Sequence, residues 1–282
     1  MNKFDYLKLR QIFSQVFPDD ERPIVIQSGL WSLIKNLDCK KQDAKKYLLE
    51  FILEYFDNRT ILMPSFTPNF PVTKKFDIYL SRPSTGLIPT YAIKEKIMTR
   101  TLQPMTSFIV RGKDEKEVHK IKCKTVWGEE SILGWLEKKN AIWCTLGLPW
   151  SIGCAFFHRA EEIMKVPYRY FKKYNGKLYN NGKFLGNISE TKYSYSKIVK
   201  PIFNFESWPK YLYKTNKVNI SNSKNFHIET ASTKIIVNAA LNFFSTDIYA
   251  FVKNKKEVSE WVKNQKNDEI ENLDKNEKVN FV

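Results

Sequence analysis

The stretch that most constrains this chain is Ala141 to Asn175, AIWCTLGLPWSIGCAFFHRAEEIMKVPYRYFKKYN. It opens on the apolar run AIWCTL, which has the length and content of a buried strand. A loop holding Gly147, Pro149, Ser151 and Gly153 follows. The next residues predict a helix from near Cys154 to about Lys165, stopped by Val166-Pro167. Phe156, Phe157, Ala160, Ile163 and Met164 recur at the spacing of one apolar helix face. His158 falls opposite that face, with Glu161 and Glu162 three and four residues on, within side-chain reach. An imidazole beside carboxylates, just past a buried strand, is where an α/β protein keeps a general base. A solvated polar face carrying a chance histidine fits the same pattern.

The flanking chain supplies more strand–helix units. Residues 1–16 predict a helix, and Pro23 to Gln27 a short buried strand that breaks into Ser28-Gly29-Leu30-Trp31 and a helix from about Ser32 to Asn36. A Ser-Gly break at a helix start presents free backbone N–H groups. Lys41 to Tyr55 is amphipathic, and Thr60 to Pro64 is the next strand, a β–α–β order that implies a parallel pair. Residues 65–89 form a long proline-punctuated loop carrying Asp77, Ser81, Arg82, Ser84 and Thr85, and loops of that length in compact domains are usually functional. Thr90 to Met98 reads as a helix, Phe108 to Arg111 as a strand, and Lys113 to Lys124 as a charged surface segment in which His119 is solvated. Asn175-Gly176 and Asn181-Gly182 flank Lys177–Tyr179 in the manner of hairpin turns. Strands are expected to 199, over Lys217–Ile220 and Phe226–Ser232, and helices over Phe205–Tyr213, from Ser232 to Phe244 and around Val258–Lys266, with disorder after Asn267. The fold class is therefore α/β, a mixed central sheet flanked by helices, with a domain over residues 1–252 and a charged helical or disordered tail over 253–282.

Several function classes are disfavoured. No 18-residue apolar run is present, so no membrane insertion is expected. Cys39, Cys123, Cys144 and Cys154 have no CxxC spacing and read as free thiols of a reducing cytoplasm. Three histidines without clustered cysteines argue against a metal. Nucleotide-binding glycine motifs are missing, and no nucleic-acid partner is expected. The net charge of +16 resides outside the tail, whose seven lysines meet seven carboxylates. A basic body favours anionic ligands and disfavours a polycationic one.

Three segments taken in order carry a more specific signal: residues 24–34 (IVIQSGLWSLI), 61–113 and 127–176. Within them stand Gln27-Ser28-Gly29-Leu30, Met63-Pro64-Ser65-Phe66-Thr67, Phe76-Asp77 with Pro83-Ser84-Thr85-Gly86-Leu87-Ile88-Pro89, Arg100-Thr101-Leu102-Gln103-Pro104 with Ser107-Phe108, Gly128-Glu129-Glu130-Ser131 through Leu136, and Cys154, His158, Glu161, Tyr168-Arg169 and Lys172. In this order and spacing the chain resembles the aminoglycoside 3-N-acetyltransferase family, whose fold is distinct from the GNAT fold. Residues 27 and 103 are glutamines where the family pattern has histidines.

The resemblance implies transfer of an acetyl or short acyl group from acyl-CoA to an amine on a sugar, without a metal. It implies that His158 takes the proton from the attacking amine and that Glu161 orients it. It implies coenzyme A along Ser28, Gly29, Leu30 and Trp31, its thioester against backbone N–H groups there, with Ser107 near the phosphates. Asp77, Tyr91, Gln103 and Glu130 are the expected acceptor contacts. The basic body then points to a nucleotide-linked amino sugar of surface-polysaccharide or glycoconjugate assembly. The rival expectations are an aminoglycoside acetyltransferase that confers antibiotic resistance, and a non-catalytic module binding coenzyme A or another anion. Homodimer formation is left open.

Overall fold

The computed structural model describes residues 6–34, 39–40, 42–195, 200–221, 223 and 226–264. In chain order its elements are α1 (Tyr6–Val16), β1 (Ile24–Ser28), α2 (Leu30–Ile34), α3 (Ala44–Tyr55), β2 (Ile61–Pro64), α4 (Phe70–Thr73), β3 (Lys75–Asp77), α5 (Leu87–Lys94), β4 (Thr99–Arg100), β5 (Phe108–Arg111) and α6 (Glu115–His119). There follow α7 (Ile132–Lys138), β6 (Ile142–Leu146), α8 (Trp150–Gly153), α9 (Phe156–Ile163), β7 (Arg169–Asn180), β8 (Lys183–Tyr195), α10 (Pro209–Tyr213), β9 (Asn219–Ile220), β10 (Ile228–Ser232), α11 (Thr233–Thr246) and α12 (Lys255–Asn264).

Among the described residues a seven-stranded sheet runs β4-β5-β2-β1-β6-β10-β9. Its centre, β2-β1-β6, is parallel, while β5 and β10 pair antiparallel on either side. The sheet is thus mixed, as expected. Its central strands are nearly all-apolar runs because both faces are covered. Val25, Trp143 and Ala231 face a core built with α7, α9 and α11. Ile24, Ile26, Ile142, Cys144 and Ile228 face the other, built with α1, α3 and α5. The register Gln27–Thr145–Glu229 sets three polar side chains in a row across the α9 side of the sheet.

A smaller sheet, β3-β7-β8, carries a long hairpin. Its turn is Asn181-Gly182, with φ of +50° and +80°, the two-residue connection that matches strand twist. The other expected turn, Asn175-Gly176, instead lies inside β7. A Cβ on Gly176 would stand 2.6 Å from the Lys74 carbonyl oxygen and 2.7 Å from the Phe70 ring, so this glycine permits close approach of β3 rather than reversal of the chain.

The helix expected from Cys154 is also different. It is divided into α8 and α9, with Cys154 extended at φ −140° between them. The Trp143 indole donates to the Gly153 carbonyl at 2.6 Å and takes that acceptor out of a helical ladder. Ile163, expected in the core, is exposed at the end of α9, and Glu161 is buried. In α12, Val258 is fully buried, with Trp261 and Val262 against the same core. Among the described residues no helix is long and apolar enough to cross a membrane. Expectations for residues 1–5, 35–38, 41, 196–199 and 265–282 lie outside the described residues.

Candidate functional site

His158 projects from the first turns of α9, beyond the C-terminal ends of β1 and β6. Its Nδ1 lies 2.6 Å from Glu161 Oε2. The other oxygen, Oε1, accepts from Arg169 Nε at 2.8 Å and from the Tyr168 hydroxyl at 3.1 Å. Glu161 has 0% exposure while the His158 side chain keeps 29%. The carboxylate is therefore a buried anchor and the imidazole is its outlet. Burial pushes the Glu161 carboxyl up, but the Arg169 guanidinium and His158 outweigh it and hold it below the usual range. Burial pushes the His158 imidazole below its ordinary value, aided by the cations Arg169 and Lys192 and opposed by Glu161. With the Nδ1–H donating to the carboxylate, Nε2 carries the lone pair.

The imidazole lines a cavity of about 260 Å³. Trp127, whose ring centre lies 5.1 Å from that of His158, makes one wall, and Phe66, Phe157 and Trp208 make others. Gln27, Ser84, Thr85, Ser151 and Lys192 supply polar lining. The wall from residue 65 onward is held by the buried Arg100, which donates to the carbonyls of Ser65 and Ser81 and to Thr67 Oγ1. An open groove of about 560 Å³, lined by Trp31, Arg82 and Thr90, shares Pro68 and Ser84 with the cavity and so abuts it. A larger depression, about 690 Å³, lies on the hairpin around Lys74, Lys75 and Lys177, and no acid–base pair lines it. Among the described residues no His/Cys/Asp/Glu group is arranged to hold a metal.

Sequence-derived site residues meet different fates. His158 and Glu161 come together. Trp31 is 74% exposed and lines the adjoining groove, whereas Leu30 is core. Ser28 is buried at the end of β1. The Gly29 N–H, expected as a donor to a thioester, donates to the Leu146 carbonyl at 2.8 Å. Ser107 is fully buried, donating to the Ser65 carbonyl and accepting from Arg100, with no surface left for a phosphate.

The expected acceptor contacts are corrected as well. Asp77 accepts from the backbone N–H groups of Tyr79, Leu80, Asn181 and Gly182 and so ties the hairpin turn to β3. Burial raises its carboxyl, but those four donors overcome this and lower it. Tyr91 is on α5, packed with the core on the far side of the sheet beneath Lys45. Gln103 donates to the Ile121 carbonyl at 3.3 Å. Glu130 is exposed and paired with Lys124 at 2.9 Å. None of the four lines the His158 cavity.

Trp127, Ser151 and Lys192 line the cavity without having been expected there. Strand alternation in β8 could have placed Lys192 inward with Glu190, but a lysine in a lysine-rich strand carries no signal of its own. Burial and Arg169 push its amine down to about 8 against Glu190 and Glu161.

A family model, "Aminoglycoside 3-N-acetyltransferase", matches residues 42–245. The structure is similar to the aminoglycoside acetyltransferase AAC(3)-IVa apoenzyme, with TM-score 0.71, 14% identity and coverage of 92% of this chain and 97% of that one. A variant of that enzyme in complex with a gentamicin gives TM-score 0.69 at 14% identity over 91% and 94% of the two chains. A structure described as AAC-IIIb binary with CoASH gives TM-score 0.69 at 13% identity over 88% and 97%. No curated protein sequence matches. At these identities the structural likeness establishes the fold, which agrees with the expectation from sequence. The expectation of a nucleotide-linked amino sugar for surface glycans is overturned, because both the family model and the solved relatives are aminoglycoside acetyltransferases. With the match spanning most of the chain, this protein belongs to the aminoglycoside 3-N-acetyltransferase family of acyl-CoA-dependent N-acetyltransferases.

Proposed function

We propose that this protein transfers the acetyl group of acetyl-CoA to an amine of an aminoglycoside antibiotic, with His158 as general base. The observation that carries the reading is the His158–Glu161 pair at the wall of an aromatic cavity, its Nδ1 engaged at 2.6 Å. An ammonium cannot attack a thioester, so one proton must leave the acceptor nitrogen, and a neutral imidazole is suited to take it. The nitrogen attacks the thioester carbonyl, the C–N bond forms, the C–S bond breaks and the thiolate departs. The amine proton passes to His158 Nε2, and Glu161 steadies the imidazolium.

Cys154 lines the same cavity, but burial pushes its thiol up to about 12, which favours direct transfer over an acyl-cysteine. The groove along Trp31 and Arg82 offers an aromatic face and a cation to the coenzyme, and its contact with the cavity gives the thioester a route to His158. Net charge misleads about the acceptor because a sum over the whole surface does not describe one pocket.

Thiol release from acetyl-CoA in the presence of gentamicin tests the reading. His158→Ala is expected to lower kcat by about 10²–10⁴-fold, the usual contribution of a positioned base. Unchanged turnover in that variant would refute the assignment of the base. Absence of turnover in the parent, together with unchanged drug susceptibility of cells expressing it, would refute the acceptor class.

A further inference from the structure

We infer that Lys192 is a specificity-determining residue, which admits the reacting amine to the His158 cavity and turns away acceptors that bring a second ammonium beside it. The inference rests on the reading of that cavity as the acceptor pocket. Lys192 is the one lysine or arginine among the described lining residues, and no carboxylate is among them. The two nearby acids stand behind the wall. Glu161 is committed to His158, Arg169 and Tyr168. Glu190 is buried and accepts from the Met105 N–H at 2.7 Å and the Thr106 hydroxyl at 3.1 Å.

The Lys192 Nζ lies 5.7 Å from the centre of the Trp127 ring, and that ring in turn packs against His158. An acceptor ring stacked on Trp127 therefore lies between an imidazole that takes a proton and an ammonium that repels positive charge. The reacting amine can enter because it becomes neutral in the reaction. A second ammonium would lose water, meet no anion and face a like charge, whereas hydroxyl groups could accept from Lys192. Two unit charges roughly 10 Å apart at an effective dielectric of about 20 repel strongly enough to weaken binding about tenfold. The favoured aminoglycosides are then those whose reacting ring carries one amine among hydroxyls, with their remaining ammonium groups outside the cavity.

The test is titration calorimetry on the coenzyme A-bound protein with two probes, gentamicin as polyamine and glucosamine as monoamine. Lys192→Met is expected to tighten gentamicin about tenfold and to change glucosamine less than twofold, and Lys192→Arg to behave as the parent. Lys192→Gln provides a second neutral variant if the first does not fold. Equal shifts for both probes would mark a packing effect and overturn the proposal. Gentamicin binding that is unchanged, weakened or undetectable in both neutral variants would also overturn it. Binding is the readout, so a parent that fails to acetylate gentamicin would refute the proposed acceptor while the affinity ratio still decides the role of Lys192.

Discussion

Glu161 is a carboxylate with no access to solvent, and it remains charged because three donors converge on it. Its closest cation, Arg169, does two jobs. It lowers the Glu161 carboxyl, and it also opposes protonation of His158. The pH dependence follows with a definite sign. A base works when unprotonated, so kcat/KM rises with pH through the His158 value, which lies below the ordinary imidazole value of about 6.5. Activity should be flat at neutral pH and fall only in acid. The same depression means that the unfolded chain binds more protons than the folded one just below pH 6.5, so stability also declines there as pH falls. Replacing Arg169 by Met removes a like charge from the imidazole and a counter-charge from Glu161. The acid limb of the kcat/KM profile should move upward, and the melting temperature should drop by an amount matching about 3–5 kcal/mol for a broken buried pair. An acid limb that stays in place would show that Arg169 does not tune the base. The His158–Glu161 pairing was legible from helical spacing alone. Its anchoring by Arg169 was not, because that residue comes from a strand and its approach to the pair is tertiary.

At the scale of elements, the row Gln27–Thr145–Glu229 and the hairpin show where local patterns suffice and where they mislead. Short apolar runs mark the central strands because burial on both faces demands them. Asn-Gly pairs mark one turn correctly, at Asn181-Gly182, and one falsely, at Asn175-Gly176. A glycine needed for a close neighbour and a glycine needed for positive φ are the same letter in a sequence. Asp77 misleads for a related reason: an acid in a polar loop gives no sign that four backbone donors will claim it. Its structural role can be measured. Asp77→Ala should cost about 1–3 kcal/mol of stability, since it strands buried N–H groups. It should leave KM for the acceptor unchanged in variants assayed well below their melting temperature. Gly176→Ala should destabilise similarly, through the clash with Lys74 and Phe70. A rise in acceptor KM for Asp77→Ala without loss of melting temperature would restore Asp77 to the pocket.

Across the whole molecule, charge and fold operate separately. The two cores and the mixed sheet are set by apolar pattern, which is why the fold class is legible in the order of residues alone. The acceptor is not legible in the net charge of +16, since a sum over the surface does not resolve what lines a particular cavity. The charge still has a consequence for the coenzyme, which is a polyanion. A strongly basic body raises the local concentration of anions and speeds their approach, an effect screened over a Debye length of about 8 Å at physiological ionic strength. The KM for acetyl-CoA should therefore rise several-fold as salt increases from about 20 mM to about 500 mM, while kcat, which reports the bound complex, holds within about twofold. Arg82 lies in the groove next to the cavity, so Arg82→Gln should raise that KM at low salt and flatten its salt dependence. Equal salt slopes for the parent and Arg82→Gln would place the phosphates elsewhere on the surface. A fall in kcat with salt would instead indicate that the charges act on the chemical step, in a cavity whose one lining lysine or arginine among the described residues is Lys192.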